Sequence, residues 1–215
     1  MPTKVQKFTF FPEMFGENTY VVSDTSKECV VVDPGCFHAH ERKALLDYLE
    51  GENLVVKMVI CTHLHIDHIL GNRFLVDRFK VPLVAHRLDL YNLELAGKYS
   101  HLWGLPDPDS PVPDTLVEEG DEIRFGETNL HVLFVPGHSA GHIAFHDREG
   151  GNLFSGDVVF QNSIGRTDLP GGNHETLIQT IHDKVLVLPD TTKIFAGHMG
   201  VTNVGKERRD NPFLR

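Results

Sequence analysis

Along the chain, short runs dominated by apolar and β-branched residues alternate with turn residues, and only a few stretches carry a helical period. Residues 5–11, 19–23 and 29–33 predict three β-strands, the last closed by the turn Asp33-Pro34-Gly35. Residues 40–49 predict a helix with Ala44, Leu45 and Leu49 on one face. Residues 55–61 predict an apolar strand; Ile69, Leu70, Phe74, Leu75 and Phe79 then repeat at helical spacing, before a short strand at 81–85. The stretch 87–114 is the least regular, with the sole tryptophan, Trp103, and prolines at 106, 108, 111 and 113. It predicts a helix followed by a long loop, read either as the wall of a substrate pocket or as an exposed connection. A second β-rich set follows at Glu122–Phe125, 130–135, 143–146 and 152–155, then a helix at 176–188 and a strand at Lys193–Ala196. Two halves that each run from strands into helices predict an α+β fold, two sheets face to face with helices outside. No linker or repeat divides the chain, so residues 1–215 are expected to form a single domain.

Composition narrows the function classes. A formal charge of −10 disfavours nucleic acid as a partner, and the basic run at 206–209 is read as a solvated segment. No stretch approaches the ~18 apolar residues of a membrane span, and the N-terminal residues lack the apolar core of an export signal. Three cysteines without a C-x-x-C pair suit a reducing compartment, so a cytoplasmic location is expected. Fourteen histidines, by contrast, are many for 215 residues, and histidine is the commonest protein ligand for transition metals.

Four of the potential ligands fall within six residues, His63, His65, Asp67 and His68, directly after an apolar strand. That exceeds what one tetrahedral ion needs alongside distant ligands, and a pair of metals is the economical reading. Three further segments run from a strand into a small-residue turn that bears a ligand-type side chain: Val135-Pro136-Gly137-His138, Phe154-Ser155-Gly156-Asp157 and Phe195-Ala196-Gly197-His198. All would fall at one edge of the sandwich. His38 and His40 form another H-x-H pair but lack a preceding strand end, and are read as surface residues; Cys61 is read as buried packing.

In order and spacing, these elements together resemble the metallo-β-lactamase superfamily over essentially the whole chain. The resemblance implies a four-layer αββα sandwich with two divalent metal ions, zinc foremost, with iron and manganese as alternatives. One ion would be held by His63, His65 and His138, the other by Asp67, His68 and His198, with Asp157 bridging both. Asp67 and Asp157 would be the catalytic carboxylates, Asp157 fixing the spacing of the ions and Asp67 holding the nucleophile's proton. Asp33 matches a position that orients the ligand loop, and is otherwise an ordinary turn aspartate. His142, four after His138, matches a supporting position behind the ligands.

Within the superfamily, Gly165-Arg166-Thr167-Asp168-Leu169-Pro170-Gly171-Gly172 resembles compact relatives of glyoxalase II, as do Asn18-Thr19-Tyr20 and the segment 207–213. This implies hydrolysis of a small-molecule, glutathione-derived thioester by a monomer or homodimer. The lysine–tyrosine pair that usually binds glutathione is absent, and Arg166 stands nearest to it. Arg166 either clamps a substrate carboxylate or pairs with Asp168. The rival of a different class is a persulfide dioxygenase with one iron in the same fold, which also carries a G-R-T-D segment. A β-lactamase is disfavoured by the missing export signal, and a non-catalytic binding protein by the complete ligand set.

Overall fold

The computed structural model describes residues 3–215. Strands β1 (Lys4–Phe10), β2 (Glu17–Ser23) and β3 (Glu28–Val32) form an antiparallel meander, followed by helix α1 (Ala39–Gly51). Then come β4 (Val55–Ile60), α2 (Asn72–Phe79), β5 (Leu83–Ala85), α3 (Leu90–Tyr99) and β6 (Thr115–Leu116). From β3 to β6 neighbouring strands run parallel, completing a six-stranded sheet in sequential order. The second sheet is built from β7 (Glu122–Phe125), β8 (Thr128–Phe134), β9 (Ile143–Asp147) and β10 (Asn152–Gly156). After a small ribbon, β11 (Val159–Phe160) with β12 (Ser163–Ile164), come α4 (His174–Thr180), β13 (Lys193–Ala196), β14 (Thr202–Asn203) and α5 (Val204–Asp210). In this sheet β13 lies parallel to β10, and the order is β14-β13-β10-β9-β8-β7.

Alternation along each strand explains the layers, because successive side chains leave opposite faces. In β2 and β3, Tyr20, Val22, Val30 and Val32 point between the sheets and meet Ile143, Phe145 and Phe154 from the second sheet. Their neighbours Val21, Cys29 and Val31 face the other way and pack with Leu45 and Leu49 of α1 and Leu75 of α2. The second sheet repeats this: Ala144, Leu153 and Ile194 turn outward onto Leu177 of α4 and Val204 of α5. The result is the expected αββα order of layers. A strand covered on both faces, such as β3 with Cys29–Val32 buried, consequently reads as a continuous apolar run.

Two helix boundaries differ most from the sequence expectation. The helical spacing from Ile69 begins as a helix only at Asn72, because residues 66–68 form a 3-10 turn and Gly71 N–H bonds to the Pro34 carbonyl at 2.7 Å. That turn keeps Asp67 and His68 on the same side as His63. The helix expected at 176–188 ends at Thr180 and continues as a wider turn over Ile181–Val185, which keeps both of those residues buried. The 87–114 stretch is a helix, α3, then a 3-10 turn at Ser100–Trp103 and a loop, as its pattern predicted. Among the described residues, no helix is long and apolar enough to cross a membrane.

Candidate metal centre

The ligand loop leaves β4 under the control of Asp33, which ends β3 in a left-handed conformation at φ 48°. The Thr62 N–H donates to Asp33 Oδ1 at 2.7 Å and the Thr62 hydroxyl donates to Asp33 Oδ2 at 2.6 Å. With its proton committed there, Thr62 Oγ1 accepts from His63 Nδ1 at 3.1 Å. That fixes the tautomer and leaves His63 Nε2 buried without a partner. The same arrangement recurs around the centre. His68 turns Nδ1 to Asp33 Oδ2 at 3.2 Å, His138 donates from Nδ1 to the Arg166 carbonyl at 2.8 Å, and His198 turns Nδ1 to the Gly16 carbonyl at 3.4 Å. Each of the four rings thus turns its outer nitrogen to a support and presents Nε2 inward, His68 through an ion-pair contact in place of a hydrogen bond. Ligating histidines are held in this way, because the outer bond sets both orientation and basicity.

The inward atoms fall into two clusters. His63, His65 and His138 bring one ring nitrogen each to within 4.8 Å of one another, and Asp67, His68 and His198 do the same with a carboxylate oxygen and two nitrogens. Asp157 stands between them: its Oδ2 lies 3.6 Å from His138 Nε2 and 3.3 Å from His198 Nε2, and its Oδ1 lies 3.5 Å from His68 Nε2. A third grouping, Asp33 with His63 and His68, also meets the distance criterion. Both Asp33 oxygens already accept from Thr62, however, so Asp33 acts as a support. His142 lies behind the centre, stacked on His63 at 4.7 Å, with Nε2 accepting the Asp157 N–H at 3.0 Å. That bond occupies one ring nitrogen, and His142 joins none of the donor clusters.

Close packing requires glycine at two of the turns. A Cβ on Gly197 would collide with Asp157 Oδ1 and come within 2.7 Å of His68 Cε1; one on Gly156, itself at φ 50°, would strike Thr62 Oγ1.

The electrostatics separate the clusters. Burial, reinforced by neighbouring histidines, pushes His63 well below its ordinary value, and burial with His138 brings His65 down to about 4. Burial also opposes charge on His68 and His198, but facing carboxylates outweigh it. Asp67 and Asp157 raise His68 well above its usual range, and Asp157 with Asp67 carries His198 up to about 10. Asp157, which burial alone would raise, is held well below the carboxylate range by His198 and His68. Two histidines kept neutral, His63 and His65, beside a carboxylate-rich pocket that holds protons in place of other cations is the donor chemistry a pair of divalent ions needs.

Sequence reasoning missed several supports. Asp89, fully buried just before α3, accepts from Leu64 N–H at 2.6 Å through Oδ2 and from the Ser139 hydroxyl at 2.7 Å and Gly141 N–H at 2.9 Å through Oδ1. One carboxylate thereby ties the His63–His65 loop to the loop of His138. Asn18 and Tyr20 hold the His198 turn through the Ala196 carbonyl, at 3.0 and 2.6 Å. Glu17 is buried beneath the second cluster, where burial drives its pKa well above the usual range; Thr19 donates to it at 2.9 Å. Such contacts span up to 178 residues of sequence, so local pattern carries no sign of them.

Above the two clusters opens a cavity of about 410 Å³. His65, Asp67, His138, Asp157 and His198 reach its floor, and α3 with the turn to Trp103 forms one wall. Arg166 lies at the rim, with its guanidinium in a two-pronged pair with Asp168 at 2.7 and 2.8 Å. His38 and His40 lie apart from this centre at the start of α1, and Cys61 is buried against Asn72.

The chain is 37% identical over 202 residues to hydroxyacylglutathione hydrolase GloC of Haemophilus influenzae, which covers 93% of each chain. Its structure superposes on the crystal structure of the BLEG-1 B3 metallo-β-lactamase with a TM-score of 0.89 at 35% identity, covering 98% of this chain and 99% of that one. It also resembles TTHA1623 in a di-iron-bound form, with a TM-score of 0.84 at 38% identity over 97% of this chain and 100% of the other. The family model described as the metallo-beta-lactamase superfamily matches residues 13–198, so the chain belongs to the metallo-β-lactamase superfamily.

Proposed function

We propose that this protein is a metal-dependent hydrolase of small-molecule thioesters, of the hydroxyacylglutathione hydrolase type. The observation that carries the reading is the pair of donor clusters joined by Asp157 on the floor of one cavity. His63, His65 and His138 would hold one divalent ion, Asp67, His68 and His198 the other, and Asp157 both. When bound, such ions supply Lewis acidity toward a carbonyl oxygen and bring the pKa of water toward neutrality. Zinc is the foremost candidate, and the di-iron form of a 38% identical relative makes iron a real alternative.

The chain's own groups have definite tasks. Asp67 Oδ2, 3.3 Å from His198 Nε2, reaches the cavity floor, where a carboxylate can accept and hold the proton of an attacking water. The supports Thr62, Asp33, the Arg166 carbonyl and the Gly16 carbonyl keep four imidazoles from rotating, so the site is built before substrate arrives. Among the described residues lining the cavity, no carboxylic acid or histidine outside the donor clusters and the Asp157 between them is available as a dedicated acid for the leaving group. A thiolate, whose conjugate acid has a pKa of about 8.5, departs without one, whereas an amine would not. That difference favours a thioester over an amide, and the named activity of the 37% identical relative points to a glutathione carrier.

The test is to measure purified protein against S-lactoylglutathione, a β-lactam and glutathione persulfide, with metal content determined on the same sample. Thioester turnover with about two metals per chain supports the reading. One iron per chain with oxygen consumption on the persulfide would replace it with a dioxygenase, and β-lactam turnover alone with a lactamase. Full metal loading without hydrolysis of any thioester would sink it.

A further inference from the structure

The cavity above the metal centre has its ligand-type groups on the floor, with Asn92, Ser100 and the rim residue Arg166 as further polar lining. Its walls are otherwise mainly apolar, Phe15, Leu95, Tyr99, Trp103, Leu169 and Pro170 among them. Several of these apolar groups remain open to solvent, Trp103 at 48% and Tyr99 at 41%, and Met14 beside them at 43%. On a chain of net charge −10, such a cluster of exposed aromatic and thioether groups marks a binding surface. The walls are also braced. Phe15 and Trp103 contact each other with ring centroids 5.5 Å apart, and the Tyr91 hydroxyl of α3 donates to the Pro170 carbonyl, tying the two sides together.

The cations tell the complementary half. Arg166 is the one lysine or arginine among the described residues lining the cavity, and Asp168 already takes its guanidinium in a two-pronged pair. Glutathione carries two carboxylates, and nothing in this lining matches them both. Affinity must therefore come from apolar contact at the walls, while the hydrated peptide part of the carrier stays toward the open mouth.

We infer that the Phe15–Tyr99–Trp103 wall, with Leu169 and Pro170 opposite, is an acyl subsite that selects apolar acyl groups, aliphatic or aromatic, over a small hydroxylated one such as lactoyl. This rests on the thioester reading and adds the acyl class to it. Each methylene fully moved from water to such a wall tightens binding roughly fourfold, so the wall discriminates by chain length.

Trp103, the sole tryptophan, reports occupancy directly. The experiment titrates the metal-loaded protein with S-methyl-, S-butyl- and S-hexylglutathione, thioethers that cannot be hydrolysed, and follows Trp103 fluorescence with calorimetry as a second readout. In parallel, kcat/KM is measured for lactoyl-, butyryl- and hexanoylglutathione. The expected result is a Kd that falls roughly fourfold per buried methylene, with hexanoyl at least tenfold better than lactoyl. Tyr99→Ala should flatten both series while its metal content and melting temperature stay close to wild type. Equal affinity along the thioether series, absence of thioether binding, or lactoyl as the best substrate overturns the subsite. If no thioester is cleaved but thioether affinity still follows chain length, the hydrolase reading fails and the apolar subsite stands.

Discussion

Asp89→Asn tests whether the metal centre is held together from beneath. The native carboxylate is fully buried and accepts three hydrogen bonds, two of them from backbone N–H groups on different ligand loops, Leu64 and Gly141. An asparagine of the same shape keeps one acceptor oxygen. Whichever way its amide turns, one of those two buried N–H groups then faces another donor. Losing a hydrogen bond to a charged acceptor and stranding its partner costs about 1.5–3 kcal/mol. For a chain of this size each kcal/mol shifts the melting temperature by about 2–4 °C, so the variant should melt roughly 3–12 °C below wild type in the metal-free state. Because the carboxylate joins the two loops of the three-histidine cluster, metal affinity should fall as well, by about 10–100-fold. Calorimetry of metal-free protein and competition with a chelating dye measure the two effects separately. A melting temperature within 1 °C of wild type together with unchanged metal affinity would refute the reasoning.

Other consequences follow from the same geometry. Asp157→Ala removes the carboxylate between the clusters, and should lower metal content per chain and reduce hydrolysis at least about 100-fold; full loading with both metals, measured by elemental analysis, would contradict its bridging role. Gly197→Ala puts a methyl group where Asp157 Oδ1 and His68 sit, so it should cost about 1–3 kcal/mol in urea unfolding and weaken metal binding. The metal-free protein should also lose stability as pH rises. The folded-state pKa of His198 is about 10 against an ordinary 6.5, so its contribution is complete below about 6.5 and disappears as pH climbs through 10. His68 is raised too and acts in the same direction. Urea midpoints at pH 6.5, 8 and 9.5 should fall in that order without metal and converge when metal replaces those protons; a flat metal-free series would count against the assignment.

The legible parts of this molecule were those with a local signature. Strand positions such as 29–33 and 55–61 follow from apolar runs, and the glycine turns before His138, Asp157 and His198 from their composition. The ligand loop was visible because Asp67 and His68 lie within five residues of His63, although the 3-10 turn that aims them was not. Its reason is tertiary: Gly71 packs against the Asp33-Pro34-Gly35 turn. The supports were invisible for a related reason. Asp89 reads as an aspartate at a helix start, and nothing near it in sequence indicates loops 25 and 52 residues away. The Arg166 carbonyl that orients His138 is a backbone atom, which a side-chain motif cannot encode. The irregular 87–114 stretch gave a helix and a loop, but its role as the aromatic wall depends on Phe15 arriving from the loop between β1 and β2.

In the function proposed above, two donor clusters sharing Asp157 form one hydrolytic centre. Titrating zinc into metal-free protein while following hydrolysis of an acyl glutathione thioester tests it most directly. Activity should develop in step with the second equivalent and level off at two per chain. Full activity at one equivalent, or none at two with both bound, would contradict the account.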